Sequence, residues 1–193
     1  ANIESKESGM NVLHIASKFK SSEAVKLLLQ KGANIESKVS DDARLYSGMN
    51  ALHIASLSLV ATHNMSSSEN TMKLVKFLLE KGANIESKIS GNIHNGMNAL
   101  HIVSMEGTPE LLKLLLENGA NTEAKDSNGI TALRLALDSF YYSYEKVKLL
   151  LENGAISSNY LHFTDDFEII KLLLEKGAYV NETDDVGNTL LHT

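Results

Sequence analysis

Leu27-Leu28-Leu29-Gln30-Lys31-Gly32-Ala33-Asn34-Ile35-Glu36-Ser37-Lys38 returns as Phe77-Leu78-Leu79-Glu80-Lys81-Gly82-Ala83-Asn84-Ile85-Glu86-Ser87-Lys88. Looser copies end at Gly119-Ala120, Gly154-Ala155 and Gly177-Ala178. Each copy reads as the end of a helix running into an extended finger. The apolar triplet is the buried stripe, and Glu or Gln with Lys or Asn faces water. Gly supplies the left-handed residue that stops a helix, and Ala lets the backbone pass close to its neighbour. Recurrence at tens of residues marks a solenoid, in which each unit needs a neighbour to cover its apolar face.

A second motif precedes each helix pair. It reads Gly9-Met10-Asn11-Val12-Leu13-His14, Gly48-Met49-Asn50-Ala51-Leu52-His53 and Gly96-Met97-Asn98-Ala99-Leu100-His101. Gly129-Ile130-Thr131-Ala132-Leu133-Arg134 and Gly187-Asn188-Thr189-Leu190-Leu191-His192 are looser forms. Asn or Thr in third place can cap a helix by accepting from a backbone N–H of its first turn. Leu in fifth place points into the stack. This motif resembles the Thr-Pro-Leu-His of ankyrin repeats, and the Leu-Leu-x-x-Gly-Ala endings resemble theirs. The departures are Asn for Thr and Ala or Val for Pro in the first three units.

The spacing agrees. His14 to Gly32 and His101 to Gly119 are each 18 residues and Gly119 to Arg134 is 15, which together make the period of about 33 that such repeats have. His53 to Gly82 is 29 residues, so the second unit carries an insertion between its helices. Its Ser-rich end, near Ser66-Ser67-Ser68, reads as a loop. The fingers before His53 and His101 are lengthened, two residues are added around Phe140-Tyr141-Tyr142, and the finger before His162 is largely missing. Thr108, Pro109 and Glu110 specify a helix start. The fifth unit, Asn159-Tyr160-Leu161-His162 before Asp165-Asp166, leaves room for little more than one turn ahead of its second helix.

The fold expected is all-α: an ankyrin-repeat solenoid of stacked helix-turn-helix units with hairpin-like finger loops, one domain over 1–193. Its approximate units are 7–38, 46–88, 94–125, 127–157 and 158–183, with a partial unit at 184–193. Residues 1–6, Ala1-Asn2-Ile3-Glu4-Ser5-Lys6, equal 33–38 and 83–88 and read as the end of a preceding finger. The expectation is a fragment of a longer array.

Composition narrows the function. A net charge of −6 with interspersed signs disfavours a surface that tracks phosphates, so nucleic acid is not an expected partner. No run of about 18 apolar residues exists, so this segment is not expected to insert in a membrane. Zero cysteines exclude disulfides, thiolate zinc sites and cysteine nucleophiles.

Candidate chemistry is sparse. His14, His53, His101 and His192 share one repeat position and read as structural bridges between backbone groups. His63, His94 and His162 lack the partner a helical metal pair needs. Asp165-Asp166 with Glu168 sits where a helix begins and acids are favoured. No phosphate loop or nucleophile elbow occurs. No catalytic residue, metal or cofactor is expected, and the chain is not expected to be an enzyme. Asn181 matches the finger asparagine that hydroxylases modify in some ankyrin proteins. Asn64-Met65-Ser66 and Asn181-Glu182-Thr183 fit short glycosylation patterns.

The resemblance implies partner binding on the concave groove. It places Met10, Met49, Met97 and Ile130 at the bases of fingers, where packing between fingers is the competing reading. It also turns the ends of first helices, Lys18, Phe19, Leu57, Met105, Glu106 and Asp138, toward the groove. Finger-tip Tyr46 and His94 join them, and Phe140 and Tyr141 are a second anchor or the filling of a lengthened loop. The expected function is recognition of another protein without catalysis. The alternative is a structural or self-associating spacer within a larger effector, toxin, channel or signalling regulator. There the insertions at 40–47 and 59–70 would contact other domains of the same chain or other copies. The resemblance favours an intracellular setting.

Overall fold

The computed structural model describes residues 4, 9–40, 45–57, 65–91, 93–140, 143–181 and 183. Its helices come in pairs: α1 (Val12–Lys18) with α2 (Ser22–Gln30), α3 (Ala51–Ser56) with α4 (Met65–Glu80), α5 (Ala99–Glu106) with α6 (Pro109–Glu117), and α7 (Ala132–Leu137) with α8 (Ser143–Glu152). A single 3-10 turn at Leu161–Phe163 and helix α9 (Phe167–Glu175) follow. Helices α1, α3 and α5 each pack on their own partner and on the first helix of the next unit, and α7 packs on α8. The fold is all-α, with no strand among the described residues. The fingers close by short pairings instead: Val39 N–H donates to Met49 O at 2.9 Å, Ile89 N–H to Met97 O at 2.9 Å and Asp126 N–H to Ile130 O at 2.9 Å.

The first helices start on side chains the sequence repeats. Asn11, Asn50 and Asn98 have extended backbones, and each Oδ1 accepts from the N–H of His14, His53 or His101 at 3.1, 3.0 and 3.2 Å. The histidine Nδ1 accepts in return from the capping residue's own N–H at 3.1, 3.2 and 3.3 Å. Two orphan donors are thus satisfied reciprocally, with His in the place usually held by Glu or Gln. Thr131 caps α7, and Thr108 with Pro109 starts α6. Asp166 caps α9 by accepting from Glu168 and Ile169 N–H, so the acidic cluster serves a helix start.

Packing forms two apolar layers. The larger lies between first and second helices and takes in Leu13, Leu52, Leu100 and Leu133, each at most 1% exposed. The smaller lies between fingers and first helices: Met10, Val39, Met49, Ile54, Ile89, Met97, Ile102 and Leu135. One expectation needs correcting here. Ser66-Ser67-Ser68 lies within α4, which begins at Met65. Small polar residues that compete with the backbone are tolerated in a helix's first turns. The rest of that insertion, 58–64, lies outside the described residues, as do 41–44 of the other.

Carboxylates tie each unit to the next. Glu36 Oε1 accepts from Asn84 N–H at 2.8 Å and Oε2 from the Asn50 amide at 2.9 Å. Glu86 repeats both bonds with Asn121 N–H and Asn98, at 2.8 and 2.9 Å. Glu4 does the same with Asn34 N–H and Asn11, both at 2.9 Å. Glu123 makes one of the two, accepting from Ile156 N–H at 3.0 Å. The asparagine cap therefore serves twice: Oδ1 starts its own helix and Nδ2 donates to the carboxylate of the preceding finger. In the fourth unit Arg134 replaces the histidine. It pairs with Asp138 and stacks its guanidinium 3.7 Å over the Phe163 ring, while Thr131 and Tyr160 share a hydroxyl bond of 2.7 Å. The irregular fifth unit is held by this aromatic contact.

Two glycine roles separate. Gly48 and Gly82 both have positive φ, 70° and 85°. A Cβ on Gly82 would meet nothing within 4 Å, whereas one on Gly48 would lie 1.9 Å from Ser90 O of the next finger. Gly82→Ala is expected to cost about 1 kcal/mol, the left-handed penalty alone. Gly48→Ala should cost at least about 3 kcal/mol, because two fingers must also part. Urea denaturation of both variants checks this, and equal losses would show that the fingers are not in contact at Gly48.

Candidate partner-binding surface

The smaller apolar layer has a solvent edge formed by Ile15, Tyr46, Leu57, Met105 and Ile130, all half-buried. Beyond it the side chains stand in water: Phe19 is 74% exposed, Ile93 82% and Phe140 98%. Lys18 holds its ammonium 5.1 Å from the centre of the Tyr46 ring, a cation–π contact joining the end of α1 to the next finger. Lys18, Glu106 and Asp138 are exposed and His94 is half-buried. Tyr141 lies outside the described residues.

Met10, Met49 and Met97 need correcting as contact residues. They are 9%, 0% and 7% exposed, because each finger covers the methionine at its neighbour's base. They fill irregular space between fingers, which suits an unbranched thioether. Ile130 stays half-buried because the finger that would cover it is the missing one. Phe140 lies open rather than filling a loop. The edge also holds Ile15, and Leu45 and Ile93 stand exposed; sequence reasoning passed over all three. The finger-tip positions of Leu45 and Ile93, beside Tyr46 and His94, were the available signal.

Under this edge lies a row of buried polar groups. His14 Nε2 donates to Ser37 O at 2.7 Å, His53 to Ser87 O at 2.8 Å and His101 to Ile130 O at 3.1 Å. For His53 the partners fix the tautomer: a carbonyl can only accept from Nε2–H, and the Asn50 N–H can only donate to Nδ1. A second proton would have to enter where that N–H already points. Burial holds His53 well below its ordinary value, at about 4, with Lys38 adding to the effect against the Ser87 bond. Burial also lowers His101.

Two lysines belong to the same frame, and neither was singled out from the sequence. Lys20 adopts a left-handed backbone, φ 55°, and sends Nζ into the next unit. There it donates to Ile54 O, Ala55 O and Leu57 O at 3.0, 2.6 and 3.0 Å, filling the end of α3 where carbonyls lack partners and positive charge is favoured. Lys146 is fully buried and donates backward to Ser104 O at 2.9 Å, near the end of α5, and to Ser139 Oγ at 2.6 Å. Burial brings both ammonium groups down to about 8. The signal for Lys146 was its register, since Ala24, Leu74, Leu111 and Ile169 hold the same place before their glycines.

A serine beside a lysine is also a pairing that nucleophilic sites use. Here Ser139 Oγ donates to Met105 O at 3.1 Å and accepts from Lys146. The hydroxyl proton is turned to a carbonyl instead of a base, so the pair closes the end of α5. Among the described residues no group of three His, Cys, Asp or Glu could hold a metal, and no helix is long and apolar enough to cross a membrane. Asn181 is exposed.

A family model described as ankyrin repeats in three copies matches residues 1–89 and again 62–160. The chain belongs to the ankyrin-repeat family. A comparison with curated proteins gives no match. Ankyrin repeats are in general protein–protein interaction modules, and the half-buried edge described here is the surface this array turns to solvent between fingers and first helices.

The buried histidines give the array an acid limit. With His53 at about 4 when folded against about 6.5 unfolded, its neutral form contributes stability above pH 6.5 that is lost as pH falls through 4. Between pH 7 and pH 5 this single group should remove about 2 kcal/mol. Urea midpoints at the two values should show a shallower loss for His53→Gln than for the unaltered chain. Equal slopes would mean that His53 takes up its proton as readily in the folded array as in the unfolded chain.

Proposed function

We propose that this array recognises another protein through the surface formed by Lys18, Phe19, Tyr46, Leu57, His94, Met105, Glu106, Ile130, Asp138 and Phe140, without catalysis. The observation that carries the reading is the set of half-buried Tyr46, Leu57, Met105 and Ile130 packed on the smaller apolar layer, together with exposed Phe19, Ile93 and Phe140. Aromatic and thioether side chains with adaptable contacts, grouped and bordered by charge, are the composition of interaction surfaces. The frame behind them is held by repeated buried bonds, so little ordering entropy is lost on binding.

A self-associating or spacer role is the second reading. Phe167 and Tyr179, each 73% exposed, and Val180, 53% exposed, stand open on the last described unit. Light scattering separates the two, since a concentration-dependent dimer favours self-association and a monomer favours an external partner.

The test of the first reading is a chain carrying Phe19→Glu and Met105→Glu, with Lys113→Glu on the second-helix side as the control. Partner capture should fall at least about tenfold for the double variant, consistent with losing anchors worth more than 1 kcal/mol, and stay unchanged for the control. Circular dichroism confirms that both fold. Undiminished capture by the folded double variant would end this reading.

A further inference from the structure

One repeat position, four residues after the His or Arg of each motif, is held by Lys18, Leu57, Met105 and Asp138, at or beside the ends of successive first helices. Read from first unit to fourth, it is a cation, two apolar side chains and an anion. The Lys20 ammonium is held by the carbonyls of Ile54, Ala55 and Leu57, while exposed Glu106 stands beside Met105 at the anionic end. The cations near that end face inward: Lys146 is buried on Ser104 O, and the Arg134 side chain is only 25% exposed against 53% for Asp138. Arg134 pairs with Asp138 from the inner side, so an incoming chain meets the outer carboxylate of that pair with exposed Glu106.

Packed helices repeat at about 8–10 Å. A segment in the three-residue-per-turn extended form rises about 3.1 Å per residue, so every third side chain returns to one face after about 9 Å. A β-strand would turn alternate residues away and a helix would offer only one contact per six residues or so.

Resting on the reading of this surface as a partner site, we propose that its occupant is a polyproline-II-like segment of another protein. An acidic residue lies over Lys18, apolar residues three apart lie over Leu57 and Met105, and a basic residue lies over Asp138 and Glu106. The charges set the segment's polarity along the stack and the two apolar contacts supply the holding energy.

The test is selection of a display library of random peptides about twelve residues long, enough to cross four units at about 3.1 Å each, on the whole immobilised chain. The selected peptides should carry apolar residues at a spacing of three with opposite charges at their two ends. They should lose about fivefold in affinity for the Lys18→Glu chain, the scale of one exposed ion pair. Selection on Lys18→Glu itself should yield peptides basic at both ends. Selected peptides with no charge polarity that still require Leu57 and Met105 would overturn this inference and leave the partner site standing. Peptides that bind the Phe19→Glu, Met105→Glu chain undiminished would overturn both, and a library yielding no binder overturns the inference.

Discussion

Each finger carboxylate grips the following unit at two points that belong to different parts of it. Glu86 holds the backbone N–H of Asn121, just after α6, and the side chain of Asn98, just before α5. A unit held at both ends of its helix pair cannot rotate against its neighbour without breaking a charge-assisted bond, the stronger class of hydrogen bond. Apolar burial supplies most of the energy of the stack, but burial is non-directional. The carboxylates add the direction, and the spacing and alignment of the concave edge follow from them.

The same economy runs through the polar interior. Asn50 caps its own helix with oxygen and meets Glu36 with nitrogen, and His53 returns the cap's bond while reaching Ser87 O of the finger beyond. Every such residue joins local helix geometry to the neighbouring unit. Secondary structure and stacking are therefore formed together, which is the behaviour of a chain whose stability is a sum over neighbouring pairs. It also explains why the interior can carry so many buried polar groups: their partners are built into the repeat.

The stack was legible because its punctuation recurs. A cap such as Asn98 and a stop such as Gly119 bracket each helix pair, and both act through backbone groups a few residues away. What escaped was decided across units. Whether Met49 faces a partner or the core depends on how closely the next finger approaches, and Gly48 against Ser90 shows the approach to be very close. Lys146 was not singled out, yet its stem occupies a core place and its ammonium finds an acceptor on a different helix. Leu57 and Met105 stay half-buried because they end their helices, beyond the reach of the covering fingers. Ser66 to Ser68 misled for the opposite reason, since local composition alone suggested a loop.

The two buried lysines reach in opposite directions, Lys20 from the first unit forward to the end of α3 and Lys146 from the fourth back to the end of α5. Among the described residues, no buried lysine crosses the joint between α3–α4 and α5–α6, which Glu86 grips at Asn98 and Asn121 and where Lys88 donates to Lys125 O at 2.9 Å. The joint to the fourth unit is built differently: Glu123 holds one bond of the two there, and the Lys146 ammonium on Ser104 O supplies a second attachment. Under tension, compliance is expected first at that joint once the Lys146 stem is cut back.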